Sequence, residues 1–596
     1  MKYIWCLIVL LCSQAAAQPR MLEEGELSVF LDSLVAPALQ ELNIPGAAVV
    51  LVQDDRVLIS KGYGFADAER KTPVDPDKTL FRIGSVTKCF TATAILQLVE
   101  QGKLQFTEDA RMFAEFLPLE QPVTISQLLT HTGGFEEKLI RTGALNAEGV
   151  LPLREYLKKE MPHQVLEPGK YMMYSNHGFV LLGYIIEKVS GKTFGRYLED
   201  HIFHPLRMER TEYGLPTSES ALATGHVSGR AVPQAHLQIG PAAGISSTGR
   251  DMARFLIAHL SATWVSDPIL SPSMMMLMHH QQFSQHPSLP GMTYGFYESY
   301  YNHVYGLYHR GGVRGFASLI YLLPEQRIGI FIVNNGDHQE LGFRIVDAFL
   351  NKYFTAQPLQ AQLASETSAR NRSIEGTYRF LRYSRSTIEK LALLRRPDIL
   401  VRIQADGSLD IGGTRFWERG PMLFQQVGSY ERAAFLKNGY LSYEQDVLER
   451  IPWYISSAFQ QLLFFLFVIV FVSTFFRWFE ELPHLGESTT PGVSSLRAIS
   501  FVKKLSGLNL IFLIGLIAGF MVIKPGRIWL GMPFPMLLLL CLPLLSCCLA
   551  IVMPYFVWAA RKEIGIWPRI RLLVLMLAAF GFIAYLHFWN LLGFRI

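Results

Sequence analysis

Four long apolar runs crowd one end of the chain, at about Tyr454 to Phe476, Leu505 to Ile523, Pro535 to Ala560 and Leu572 to Leu592. A hydrocarbon layer about 30 Å thick takes about 20 apolar residues of helix to cross, with every backbone polar group satisfied inside the segment. The runs therefore predict a transmembrane region over 454–592, the second span being the shortest. None of the four contains Asp or Glu, which favours a plain anchor over a proton or ion pathway. Charge follows the same division. The net +5 arises entirely in the tail: residues 459–596 hold 11 Lys+Arg against 4 Glu, leaving 44 basic and 46 acidic side chains in residues 1–458. The large N-terminal part thus has no basic surplus with which to neutralise phosphates, and nucleic acid is excluded as a partner.

The distribution of the tail's charges also predicts orientation. If the N-terminal part is exported, the loops after the first and third spans face the cytoplasm. Those loops hold Arg477, Arg497, Lys503, Lys504, Arg561, Lys562, Arg569 and Arg571, against Lys524, Arg527 and Arg595 on the other side. Export is predicted independently at the N-terminus, where Lys2, an apolar run from Ile4 to Leu11, and Ala15 and Ala17 read as a signal peptide (1–17) cut after Ala17. The run is short for an uncleaved anchor. The chain is then expected in the cell inner membrane with its N-terminal domain in the periplasm. Of six cysteines, Cys6 and Cys12 leave with the signal and Cys541, Cys547 and Cys548 lie in an apolar run. Cys89 is left alone, so no disulfide is available to the exported domain.

Between about 27 and 354, short β-branched runs alternate with helical patterns. Ala47 to Val52 and Val57 to Ile59 near the start, and Ile328 to Val333 near the end, predict one sheet with strands from both ends of a mixed α/β domain. Thr248 and Asp251 form a capping-box pattern ahead of a helix from Met252 to Leu260. Residues 355–373 lose periodicity and read as a linker. Residues 374–450 read as a small antiparallel, barrel-like β-domain, with Asp406-Gly407 and Asn438-Gly439 as two-residue hairpin turns. No repeat and no metal-ligand spacing is found: His279 and His280 are adjacent and cannot share one helix face.

Three short boxes carry chemistry. Ser85-Val86-Thr87-Lys88 sets a hydroxyl and an amine at i and i+3 of a helix start, within reach of each other, so that a neutral lysine could take the serine's proton. Alone the pattern is weak, and it recurs at Ser500 to Lys503. Tyr174-Ser175-Asn176 follows Ser85 by 89 residues, and His309-Arg310-Gly311-Gly312 follows Tyr174 by 135. Each box has a second copy, Tyr300-Tyr301-Asn302 and His131-Thr132-Gly133, but order and surroundings single out the first set. Cys89 and His131 read as packing residues.

With the flanking text Phe81-Arg82-Ile83-Gly84-Ser85, Leu128-Leu129-Thr130-His131-Thr132-Gly133-Gly134 and Gly240-Pro241-Ala242-Ala243-Gly244, the chain resembles the serine β-lactamase and penicillin-binding peptidase family, in its class C β-lactamase-like and D-amino-acid peptidase/esterase branch. The resemblance implies an α/β sandwich, an antiparallel sheet beside an all-α lobe, with the site between them and no cofactor or metal. It implies Ser85 as the acylated nucleophile, Lys88 as its activator, and Tyr174 as a proton-transfer group. Asn176 would orient Lys88 and substrate, and His309 would stand where many relatives carry lysine. The oxyanion hole would be the backbone N–H groups of Ser85 and Gly312, beside Gly311.

One departure counts. Arg310 replaces the hydroxyl residue that in many relatives helps hold a substrate carboxylate, which disfavours antibiotic hydrolysis and favours peptide or ester chemistry. Arg310 is a candidate carboxylate fork, unless strand alternation turns it outward, in which case Arg314 is the substitute. The expected function is a membrane-anchored exported serine hydrolase acting on a peptide, D-amino-acid amide or ester. Two other readings stay open: a prodrug-trimming peptidase whose spans meet a transporter, and a penicillin-binding-like sensor or scaffold with slow deacylation.

Overall fold

The computed structural model of the protein describes residues 21–216, 221–260, 268–354, 372–476, 492–522 and 529–596. The expected signal peptide and residues 355–371 of the expected linker lie outside them.

The sheet is made by both ends of the α/β part. Strand β1 (Gly46–Gln53) is buried at all eight positions, as a central strand covered on both faces must be. It pairs antiparallel with β2 (Arg56–Asp67) on one side, which continues to β3 (Thr72–Pro73). On its other side lie β4 (Tyr297–Tyr301), β5 (Val304–Val313), β6 (Phe316–Leu323) and β7 (Ile328–Asn334), giving the order β4-β5-β6-β7-β1-β2-β3. The register Ala47↔Asn334 to Gln53↔Ile328 joins the first strand to the last.

The period of two divides the core. Ala47, Val49 and Leu51 pack with helix α1 (Glu24–Glu41), which buries Leu27, Leu31, Val35 and Ala38 at helical spacing. Ala48, Val50 and Val52 face the opposite core with the helical lobe. In that lobe α2 (Thr87–Glu100) is buried almost throughout and packs against α3 (Asn176–Ser190), while α4 (Gly249–Leu260) lies against the sheet. At the start of α4 only half of the expected capping box forms. The Asp251 N–H donates to Thr248 Oγ1, but the Asp251 carboxylate is taken by the Arg210 N–H and the Thr211 hydroxyl. Helix α5 (Glu340–Tyr353) closes the α1 face.

Eight strands then close an antiparallel barrel: β8 (Gly376–Phe380), β9 (Ile399–Ile403), β10 (Leu409–Ile411), β11 (Thr414–Gly420), β12 (Leu423–Gln426), β13 (Arg432–Phe435), β14 (Leu441–Tyr443) and β15 (Asp446–Ile451). Its hairpins are not the expected two-residue turns. The Gly407 N–H reaches Gln404 O while the Gln404 N–H reaches Ser408 O, and Gly439 repeats this with Leu436 and Tyr440. Each loop therefore has three residues, with glycine at φ +81° and +82° supplying the left-handed third position.

The long connection from β8 to β9, here called the strap, is held from two sides. Toward the α/β domain, Glu136 accepts the Ser386 N–H at 2.9 Å, and Glu389 Oε1 accepts the Leu139 and Ile140 N–H groups at 2.8 and 2.9 Å. Toward the tail, Asn590 Nδ2 donates to Arg385 O and Thr387 O at 2.8 and 2.9 Å, and the Ile388 N–H donates to Arg595 O.

The tail is four apolar helical spans: α6 (Ser457–Phe476), α7 (Val493–Val522), α8 and α9 (Phe534–Leu539 and Cys541–Ala560), and α10 (Ile566–Phe588). All four are long and apolar enough to cross a membrane. The second is not the shortest, as the sequence suggests, because α7 begins twelve residues before Leu505. Arg497, Lys503 and Lys504 are consequently helical, as are Arg569 and Arg571 in α10. Ser546 donates to Asn509 Oδ1 inside the bundle at 2.6 Å, which satisfies two polar groups that lipid could not.

Candidate active site

The Ser85 turn owes its geometry to a glycine. Gly84 has φ +53°, and a Cβ there would lie 2.6 Å from Gly312 N. Only a bare backbone can press this single 3-10 turn (Gly84–Val86) against β5, beside the two amide groups expected to form the oxyanion hole. Gly311 is equally constrained, since a Cβ would meet Ile83 O at 2.0 Å, and its carbonyl accepts from Gln339 Nε2 at 2.7 Å.

One helical turn beyond Ser85, Lys88 is completely buried. Its Nζ stands 3.2 Å from Ser85 Oγ, 2.9 Å from Asn176 Oδ1 and 2.9 Å from Ala242 O. Burial first, and then the positive charge of Arg382, holds this amine well below its ordinary range. A neutral amine has two N–H groups and one lone pair. In that form the carbonyl oxygens of Asn176 and Ala242 would take the two hydrogens and leave the lone pair for the Ser85 hydroxyl.

Tyr174 completes the group. Its hydroxyl donates to Ser85 Oγ at 2.8 Å, and burial pushes the phenol up to about 12, against the opposing pull of that hydrogen bond. Tyr174 therefore enters as a neutral donor rather than a phenolate. It is fixed by His131, which has φ +56°: the Met173 N–H donates to His131 O at 2.8 Å, and the Ser175 N–H donates to His131 Nδ1 at 3.1 Å. The two rings lie 4.3 Å apart. His131 thus packs, as expected, but against the tyrosine box itself.

His309 is buried, 6.4 Å ring to ring from Tyr174. Its Nδ1 lies 2.8 Å from Arg310 O, an acceptor, so Nδ1 carries the proton and Nε2 keeps a lone pair. That Nε2 is buried with no hydrogen-bond partner among the described residues, and burial pushes the ring down to about 3. A neutral acceptor, rather than a cation, occupies the lysine position of many relatives.

Arg310 turns the other way, as period-two geometry requires. It is exposed and lines an open trough with Tyr308, Tyr430 and Glu444, and among the described residues it has no hydrogen bond or ion pair to Ser85, Lys88 or Tyr174. Arg314 lies just beyond β5, in its turn to β6, and makes no such contact either. The guanidinium beside the site comes from elsewhere. Arg382, in the strap, sits with its central carbon 4.5 Å from the Tyr174 ring centroid and pairs with Glu137. Sequence reasoning missed both partners, for Arg382 follows Tyr174 by more than 200 residues and belongs to the barrel.

Residues 31–350 match the family described as Beta-lactamase. Protein flp of Staphylococcus aureus (strain MW2) is 27% identical over 321 residues, which cover 51% of this chain and 62% of that protein. PbpX of Bacillus subtilis (strain 168), which carries a penicillin-binding-protein name, is 32% identical over 188 residues, covering 31% of this chain and 46% of that one. The match thus spans less than two thirds of these curated relatives. The structure of the octameric penicillin-binding protein homologue from Pyrococcus abyssi superposes with a TM-score of 0.48 at 23% identity, over 72% of this chain and all of that one. Because the matched stretch is more than half of its length, the chain belongs to the Beta-lactamase family.

Proposed function

We propose that the protein is a membrane-anchored serine hydrolase whose Ser85 forms an acyl-enzyme with a peptide, a D-amino-acid amide or an ester. The observation that carries this reading is the set of distances around Ser85 Oγ: 3.2 Å to a buried Lys88, whose burial favours the neutral amine, and 2.8 Å to the Tyr174 hydroxyl. In the first step Ser85 adds to the substrate carbonyl as its proton passes to Lys88. The negative charge gathers on the carbonyl oxygen beside the Ser85 and Gly312 amides. Collapse breaks the bond to the leaving group, which takes a proton from Lys88 or through Tyr174. Water then attacks the Ser85 ester with Lys88 again accepting its proton, releasing the acid and regenerating the hydroxyl.

The absence of a hydroxyl at position 310, and the outward turn of Arg310, support peptide or ester substrates over β-lactam hydrolysis. Intact-mass measurement of the protein with a fluorophosphonate and with a penicillin tests the reading. One fluorophosphonate adduct on Ser85, absent in Ser85→Ala, is expected; equal labelling of the variant would refute the mechanism. A penicillin adduct that persists without turnover would indicate a sensor instead of a hydrolase.

A further inference from the structure

We propose that Arg382, delivered by the barrel's strap, is a positioning residue of the Ser85 site, clamping the ring of Tyr174 and setting the charge balance around Lys88. The proposal rests on Ser85 being the nucleophile that Lys88 activates. Its first support is geometric. The Tyr174 ring has Lys88 Nζ 4.6 Å from its centroid and the Arg382 guanidinium carbon 4.5 Å from it. Guanidinium is always charged, whereas an amine readily gives up its proton when a cation is close and water is absent. Of two cations sharing one ring, Lys88 is the one that yields.

The second support is the way Arg382 is held. Glu137 pairs with it from the α/β domain, and the next strap residues are tied to the neighbouring Glu136. The guanidinium is therefore fixed by the domain interface rather than by its own flexible stem. Other charges face the same space. Cys89, Glu137, His131 and His309 surround Lys88, and Asp446 and Arg396 lie around Arg382. Among these, Cys89 and then Glu137 act on Lys88 in the opposite sense to Arg382, and because burial pushes the Cys89 thiol well up, Glu137 is the carboxylate that opposes the guanidinium. Removing Arg382 would leave Glu137 uncompensated, and removing Glu137 would leave Arg382 uncompensated. The two losses should therefore move Lys88 in opposite directions, which a merely structural pair would not do.

The test is the rate of fluorophosphonate labelling of Ser85 across pH, on the full-length protein in detergent. Labelling needs neutral Lys88, so the rate falls as pH drops through the Lys88 pKa. Arg382→Gln should shift that acid limb up by about one pH unit and slow labelling on the limb about tenfold. Glu137→Gln should shift the limb down, and Arg382→Lys, which keeps the charge, should leave the limb near that of the wild type. Limbs that stay put, or that move the same way in Arg382→Gln and Glu137→Gln, would overturn the proposal. If wild-type protein does not label at Ser85 at all, the nucleophile assignment fails instead, and the two failures are distinguishable.

Discussion

At the scale of single residues, the site divides its work between groups whose protonation the fold has already chosen. Burial, and then the nearby charge of Arg382, pushes Lys88 toward its neutral form, and Tyr174 stays neutral because burial opposes phenolate. Tyr174→Phe removes the hydroxyl that donates to Ser85 Oγ while keeping the ring that His131 and Arg382 grip. Turnover of an activated ester should fall by about 10²- to 10⁴-fold with no change in expression or melting behaviour; activity within threefold of wild type would return Tyr174 to a packing role. His309 is different, since its Nε2, without a hydrogen-bond partner among the described residues, can only accept. His309→Gln, which retains an acceptor oxygen, should outperform His309→Phe by about tenfold, measured by the same assay. These positions were legible in sequence because each box is a local pattern: a hydroxyl and an amine at i and i+3, or three residues entering a helix. Arg382 was not legible. Nothing in its own surroundings signals a catalytic neighbour, and only closure of the barrel against the α/β domain brings it to Tyr174.

At the scale of elements, two connections decide whether the site holds its shape. The first is β5, whose Gly311 backs directly onto Ile83 O. Gly311→Ala should cut turnover by at least about 10²-fold, the usual worth of one misplaced oxyanion donor, because strand and Ser85 turn would have to separate. The control is a circular dichroism spectrum unchanged from wild type. The second is the strap, where Glu389 accepts two backbone N–H groups while burial pushes its carboxyl up to about 7. A folded-state pKa above the unfolded value means that docking is strongest below about pH 4.5 and weakens as pH rises through 7. Hydrogen exchange of the Leu139 and Ile140 amides, corrected for its intrinsic pH dependence, should therefore lose protection between pH 5 and 8. Glu389→Gln, which cannot ionise, should abolish that loss. Sequence pattern marked the sheet strands as short continuous apolar runs, which strands covered on both faces need, and the barrel strands by alternation. It missed the strap, which buries Ile388 and Leu393 without strand or long-helix periodicity, and it misread the hairpins, because a glycine that ends a three-residue loop and one in a two-residue loop look alike.

At the scale of the whole molecule, the tail and the part that precedes it are joined at one end of the bundle. The Ser457 N–H donates to Asp398 beside the strap, Gly143 lies close to Trp529 and Leu530, and Asn590 and Arg595 bond the strap itself. The start of α6, the connection between α7 and α8 and the end of α10 thus all lie on the α/β side. At the other end the Ser495 N–H donates to Glu563, joining the start of α7 to the turn between α9 and α10. Four crossings would require this alternation, and the excess of Lys and Arg flanking that far end predicts, by the positive-inside rule, that it faces the cytoplasm. Reporter fusions after Pro491 and after Ile564 should score as cytoplasmic, and fusions after Arg527 and after Ile596 as periplasmic. A periplasmic score at Pro491 would mean that α6 does not cross. A cytoplasmic score at Ile596 would separate Asn590 and Arg595 from the strap, and with it the physical connection between the membrane tail and the segment that carries Arg382 to the site.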